Sequence, residues 1–386
     1  MFVRELWLKD FRSYPLVEVG LSQGVNVLIG PNGHGKTNLV EAIGYLATLA
    51  SHRVATDAPL VAAGASSAML RLEVQSGGRS TIIEVIIEPG RAKRARINRT
   101  PVPKVSAILG IARVVTFAPE DLALVKGDPS DRRRFLDDVL VQRRPLVASI
   151  RADYERVLKQ RNALLRSSGT ARRASAAEIE RTLSVWDDQL AEHGSALIAA
   201  RVGLVAELSQ PAATAYSRIS DDPERTLLVA YDSVVEHWLP EASRALGLPT
   251  DPEPWRQAIL GGIEQRRREE LDRGITLVGP QRDELTLRLG EQPAKGYASH
   301  GESWSIALAL RLACFEILRV QGEDPILILD DVFAELDSKR RARLVAMIRD
   351  AEQVIITAAV PEDVPGELDG RRYLVGRGVV AEQVDR

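Results

Sequence analysis

The sequence predicts an α/β fold: a central parallel sheet, a flanking mixed β layer, and a helical second domain inserted between the two halves of the sheet. Three observations predict it. A complete glycine loop near the start lies between an apolar run and an amphipathic run. An apolar run about 290 residues later ends in two carboxylates. The stretch between them carries apolar residues at heptad spacing. The two ends of the chain must therefore fold together, with the middle as an excursion from their sheet.

The loop reads Gly30-Pro31-Asn32-Gly33-His34-Gly35-Lys36-Thr37, a G-x-x-x-x-G-K-T. Val25-Asn26-Val27-Leu28-Ile29 before it has strand character, and Leu39, Val40, Ile43 and Leu46 after it share a helical face. Strand, glycine loop and helix in that order make a phosphate cradle. The glycines let backbone N–H groups turn inward without Cβ clashes. Lys36 reaches the β and γ phosphates, Thr37 holds Mg²⁺, and the helix N-terminus adds its positive end. ATP and Mg²⁺ are the implied cofactors.

Next along the chain, Ala68 to Val74 and Thr81 to Glu88 alternate around Gly77-Gly78, which predicts a β-hairpin in the flanking layer. Arg91 to Arg113 holds seven basic residues and no acid, Arg94 and Arg96 among them. From Asp131 to Arg173 twelve basic residues face five acids. Arg132-Arg133-Arg134, Arg143-Arg144 and Arg172-Arg173 stand out. Such clusters bind a phosphate backbone, and they also occur as solvated helix faces or as ion pairs with acids such as Asp137 and Asp138. Few aromatics interleave with them, so backbone and shape recognition is the form DNA binding would take.

Ile179, Leu183, Trp186, Leu190, Leu197 and Leu204 keep 4-3 spacing, with His193 and Ala200 in the intervening slots. Leu146, Ile150, Tyr154, Val157 and Leu164 form a partner run, joined through Ser167-Ser168-Gly169-Thr170. This reads equally as a short coiled-coil arm or as a helical subdomain packed on the sheet. Domain limits follow at 1–130, 131–270 and 271–386.

Ser299-His300-Gly301-Glu302-Ser303 is a polar turn opening a helical run from Trp304 to Val320, a helix cap and an anion site. Pro325-Ile326-Leu327-Ile328-Leu329-Asp330-Asp331 is a buried parallel strand with acids at its C-terminal edge, where α/β sheets bind ligands. Asp330 would hold Mg²⁺ through water, and Asp331 could polarise an attacking water. Adjacent carboxylates can divide these roles either way, and Glu335 is another base candidate. A last apolar strand, Val354-Ile355-Ile356, ends in Thr357.

Phosphate loop, polar helix turn and acidic strand, in this order, are the layout of an ATP-binding-cassette (ABC) ATPase head. The chain resembles, more narrowly, the bacterial RecF recombination mediators of the SMC-like ATPase group. The likeness is carried by Leu8 to Tyr14, Gly30 to Glu41, Phe117 to Leu122, Gly127 to Asp137, Val278 to Asp283, the Ser299 turn and Leu329 to Asp337. Family members usually have His where Gln281 stands, and Gln is commoner near His300 and Glu302. The resemblance makes Ser299 and Gly301 a signature motif that closes on the nucleotide of a second chain. It makes Glu335-Leu336-Asp337 a D-loop and Thr357 a γ-phosphate switch, and it brings Arg12 and Asn38 into the nucleotide set. It implies a weak, DNA-stimulated ATPase, an ATP-dependent homodimer, and binding to double-stranded, gapped or junction DNA. It further implies RecR and RecO as partners, and roles in recombinase loading, DNA replication and the SOS response.

Composition agrees with a soluble, cytoplasmic protein. The longest apolar runs are far short of a membrane span, and Met1-Phe2-Val3-Arg4-Glu5 lacks a signal-peptide pattern. The single Cys314 excludes an internal disulfide and a cysteine zinc site, and five histidines lack ligand spacing. The competing reading is a transport-type cassette ATPase with a membrane partner. It needs a Q-loop glutamine, and Phe117-Ala118-Pro119-Glu120 stands in that place. A nuclease or kinase would need a further carboxylate or acceptor cluster.

Overall fold

The computed structural model describes residues 1–168, 176–222, 224–245, 247–319 and 323–383. The chain opens with β1 (Phe2–Phe11), β2 (Tyr14–Gly20) and β3 (Gly24–Ile29), and the glycine loop leads into α1 (Lys36–Thr48). Next come β4 (Ala68–Ser76), β5 (Arg79–Ile87), β6 (Arg94–Ile97), β7 (Thr100–Pro101) and β8 (Val114–Phe117). The middle holds α2 (Ala123–Lys126), α3 (Pro129–Arg143), α4 (Leu146–Ser168), α5 (Ala176–Ile219), β9 (Leu227–Asp232), α6 (Glu241–Ala245) and α7 (Pro252–Arg273). The last part holds β10 (Glu284–Leu289), β11 (Gln292–Pro293), α8 (His300–Leu318), β12 (Ile326–Asp330), α9 (Ser338–Ile348), β13 (Gln353–Ala358), β14 (Arg371–Gly376) and β15 (Val379–Gln383).

The central sheet has the order β15-β14-β3-β13-β12-β8. All its pairs are parallel except β14 with β15. β3 lies beside β13 with Thr357 opposite Leu28, so the chain ends do share one sheet. Parallel strands covered on both faces must be apolar throughout, and every residue of β12 and β13 is buried. Their side chains alternate between two cores. Val27, Leu327, Leu329, Val354 and Ile356 face the helices. Leu28, Ile326, Ile328 and Ile355 join a core with α1 and the flanking layer.

That layer is a sheet ordered β2-β1-β4-β5-β6-β7. β4 and β5 form the hairpin read from the sequence, with Ser76 opposite Arg79. Gly77 and Gly78 both have positive φ, 54° and 76°, the conformation a two-residue hairpin turn needs.

The helical stretch packs on the sheet. α5 runs 44 residues, roughly 66 Å at 1.5 Å per residue. Leu183, Leu190, Leu197 and Leu204 are buried as the heptad spacing predicts. Ala191, Ile198, Val202, Val205 and Leu208 are buried too, which is wider than a two-helix seam. The extra faces are covered by α7 and α8, and the core they form is continuous with the sheet. On α4, Tyr154 and Val157 are buried and Leu146 is 73% exposed. Gly169, Thr170, Arg172 and Arg173 lie outside the described residues, as does Val320.

The segment 131–270 is not purely helical. β9 lies within it and pairs antiparallel with β10, Tyr231 opposite Leu285, in a small sheet ordered β11-β10-β9. The sheet therefore crosses residue 270. The helix after the Ser299 turn also begins at His300, four residues before Trp304, because Ser299 caps it.

Candidate nucleotide site

The glycine loop is built by backbone that favours glycine. Gly33 and Gly35 have φ of 80° and 103°. A Cβ on Gly35 would sit 2.7 Å from Tyr14 Oη and 2.9 Å from Ser13 Oγ, so the β1–β2 turn seats against the loop. A Cβ on Gly30 would sit 2.2 Å from the carbonyl oxygen of Val375. Lys36 is 3% exposed, and its Nζ donates to Gly30 O at 2.7 Å, to Asn32 Oδ1 at 3.3 Å and to Pro31 O at 3.4 Å. His34 Nδ1 is buried with no partner among the described residues. The cradle thus holds an ammonium and an unpaired ring nitrogen, groups a phosphate can engage.

Parallel pairing brings the other half of the site to this loop. Thr357 Oγ1 donates to Asp330 Oδ1 at 2.6 Å, and Thr37 Oγ1 donates to the same oxygen at 3.1 Å. The Asp331 backbone N–H donates to Thr357 Oγ1 at 2.9 Å. Loop, acidic strand and switch residue form one hydrogen-bonded chain. Burial pushes the Asp330 carboxyl up to about 6, the hydroxyls of Thr357 and Thr37 oppose this, and the Asp331 charge adds to it. Oxygen-only donors around a buried carboxylate suit Mg²⁺. Thr37 and Asp330 are the residues that would hold it. Asp331 sits at φ 51° where β12 ends, and its carboxylate is partly exposed without a hydrogen-bond partner among the described residues.

The remaining candidates are engaged by other groups of the chain. The guanidinium of Arg12 is held by Glu41, at 2.6 and 2.9 Å, and by Pro59 O at 3.1 Å. The Glu41 bonds tie it to α1. Asn38 donates to Ser13 Oγ at 2.9 Å and accepts from Arg53 at 3.1 Å. Ser299 is exposed and caps α8 with Glu302. The nearest atoms to a Cβ on Gly301 belong to Arg340, at 2.9 Å. Among the described residues no hydrogen bond joins Ser299 or Gly301 to the loop of their own chain.

Several supporting residues were not legible in the motifs. Glu41 is fully buried; burial pushes it up, but the bonds from Arg12 and Ser51 outweigh this and hold it below the usual carboxylate range. Asp121, in the turn after β8, caps that turn and pairs with Arg311 of α8 at 2.6 Å. Arg340 bonds Ser305 of α8 at 3.1 Å and Asp221 at 2.8 Å, and it pairs with Asp337 of the D-loop stretch. The start of α8 and the Glu335-Leu336-Asp337 stretch are thus tied together.

Of the basic candidates, Arg132 is 5% exposed and holds Glu284 with two bonds of 2.7 Å. It is interior structure and faces no solvent. Arg133 donates to Asp283 O at 2.8 Å. Arg134 has no ion-pair partner among the described residues and is partly exposed. Arg94 pairs with Glu88, and Arg96 with Glu84 at 3.2 Å.

Residues 2–365 match the family model described as the RecF/RecN/SMC N terminal domain. Proteins named DNA replication and repair protein RecF from Frankia alni and Streptomyces avermitilis are 53% and 51% identical to this chain. Each match covers 98% of this chain and 99% of the relative.

The chain belongs to the RecF family.

Two solved structures, described as the recombination mediator protein RecF-ATPrS and RecF-ATP in the RecFOR pathway, match with TM-scores of 0.87 and 0.86. Both are 26% identical and cover 99% of this chain and 98% of theirs. An Smc head bound to the C-winged helix domain of ScpA, at 16% identity and TM-score 0.55 over 99% of this chain and 97% of its own, shares the fold. The RecF head is thus an SMC-like, ABC-type α/β ATPase fold, as the motifs implied. Among the described residues no helix is long and apolar enough to cross a membrane.

Proposed function

We propose that this chain is an ATP-dependent DNA-binding protein of replication and repair, acting from the cytoplasm as an ATP-bridged homodimer. The observation that carries this reading is the Thr37–Asp330–Thr357 chain at the mouth of the glycine loop. On ATP binding, Lys36 exchanges the Gly30 carbonyl for a phosphate oxygen. Thr37 and Asp330 would hold Mg²⁺, which would supply charge neutralisation at the phosphates. Thr357 reports the change to the Asp331 backbone, and the Asp331 carboxylate orients the attacking water as general base. Ser299 is exposed and Gly301 half-buried, and no hydrogen bond among the described residues joins either to its own loop, so they serve the nucleotide of a second chain. A site completed only in the dimer makes hydrolysis weak and lets DNA stimulate it.

Gapped or junction DNA is the substrate this reading favours, with RecR and RecO as partners in recombinase loading and the SOS response. The relatives' names and the RecFOR description of the matched structures support it. The transport reading is not favoured: the place of a Q-loop glutamine is taken by an Ala118–Asp121 turn fixed to Arg311. Light scattering with and without ATP·Mg²⁺ and DNA tests the proposal. The chain should double in mass with ATP, and Lys36→Met should stay a monomer with no measurable ATP affinity. Dimerisation of Lys36→Met at the same ATP concentration would remove the phosphate loop from this role.

A further inference from the structure

A cavity of roughly 200 Å³ lies between α3, α4, α5 and the Pro280–Arg282 turn, away from the nucleotide site. Arg133 and Arg134 come from α3, Arg151 from α4 and Arg201 from α5. Two carboxylates share the wall, Asp137 and Glu155. Neither is free to neutralise α3. Asp137 is clasped by Arg201 at 2.8 and 2.9 Å. Glu155 accepts from Arg151 Nε at 2.9 Å. Arg133 uses one N–H on Asp283 O, and Arg134 is left without an ion-pair partner among the described residues. Burial, and then the neighbouring Arg201 charge, push Arg133 below its ordinary value, against the opposing charges of Glu284 and Asp283. Ser130, in the first turn of α3, adds a hydroxyl at the rim. The far wall carries Gln281, positioned by Tyr154 Oη, which donates to Gln281 Oε1.

Guanidinium forks match the geometry of phosphate oxygens and bind them bidentately. A phosphate group is also small enough for this volume, while the apolar wall of Leu158 and Leu197 gives a base little to hydrogen-bond. We propose that this cavity is a phosphate socket that takes a single phosphodiester of a nucleic-acid backbone, with Arg134 as its principal contact. The proposal deepens the DNA-binding reading and rests on it. It gives that reading a place, and it separates Arg134 from its neighbour Arg132, whose charge is spent inside the fold.

Fluorescence anisotropy of the full chain on a labelled gapped duplex, over stepped salt, tests the socket. Arg134→Ala should weaken binding about tenfold on every sequence and lower the salt slope by about one. Its melting temperature should match the unsubstituted chain, and Arg134→Lys should recover part of the affinity. Unchanged affinity and slope in Arg134→Ala overturn the socket. If the unsubstituted chain binds no DNA, the wider reading fails, and inorganic phosphate then probes the socket. In a Lys36→Met background, where the glycine loop competes less, phosphate should raise the melting temperature, and adding Arg134→Ala should abolish that rise. Equal shifts in both chains, or none, overturn the socket. A phosphate shift that needs Arg134, in a chain whose DNA binding does not, overturns the assignment to nucleic acid.

Discussion

Asp330→Asn should change how stability depends on pH, in a direction set by burial. Asp330 is 2% exposed, and its carboxyl titrates at about 6 in the folded chain against an ordinary 3.8. A raised carboxyl holds its proton in the folded state after the unfolded chain has released it. Its contribution to stability is therefore full below about pH 4 and is lost as pH rises through 6. Two units correspond to about 3 kcal/mol. Asparagine keeps the acceptor for Thr37 and Thr357 and has no charge to bury. The gap between the two chains, Asp330→Asn minus unsubstituted, should then move in favour of asparagine by up to ~3 kcal/mol between pH 4 and pH 7. The change of the gap is the readout, because a constant offset from the new amide N–H cancels. Asp138, also pushed up to about 6 by burial, titrates in both chains and cancels as well. Denaturant titration with chelator, at four pH values, measures it. A gap that stays constant with pH would refute the claim that a buried, charge-disfavoured Asp330 is held ready for a cation. With ATP·Mg²⁺ added, the order should reverse, because only the aspartate gains a metal.

Three further outcomes follow from the same geometry. Asp331→Asn should keep ATP affinity within about twofold and lower hydrolysis by roughly 10²-fold or more, trapping the dimer in sizing runs; a dimer cycling at the normal rate would move the base elsewhere, with Glu335 next. Ser299→Arg should bind ATP as a monomer yet fail to pair, since the turn acts on another chain's nucleotide, and normal pairing in light scattering would refute the head-to-tail arrangement. Arg132→Ala should destabilise the fold by about 3 kcal/mol, because Glu284 loses its bidentate partner in a largely buried site; a melting temperature unchanged by that substitution would return Arg132 to the list of DNA contacts.

The parts of this molecule that are local in sequence were legible. The glycine loop, the Gly77-Gly78 hairpin and the acidic strand each carry their physical cause within about ten residues. What was not legible depends on residues far apart. Arg12 pairs with Glu41, a helix turn beyond the loop, and nothing in either stretch announces the pair. Part of the basic surplus from Asp131 to Arg173 is taken up by acids outside the run: Glu284 takes Arg132, Glu207 takes Arg143, and Asp187 with Glu270 enclose Arg161. Charge counted along a chain is not charge on a surface. β9 escaped notice because six alternating residues inside a helical stretch give a weak period, and only its partner β10 fixes it as a strand. The heptad reading of α5 found one face correctly, while the faces under α7 and α8 broke that pattern.

The hydroxyl of Thr37 and the carboxylate of Asp330 meet across 293 residues of sequence. A ribosome adding roughly 5–20 residues per second takes about 15–60 seconds to make the second after the first. Through that interval β3 has no β13 or β14 beside it, and the glycine loop has no floor. A nascent or truncated chain therefore cannot assemble this nucleotide site however well its first hundred residues fold. The sheet works as a completeness check on synthesis: only a chain translated past β13 can join Thr37, Asp330 and Thr357.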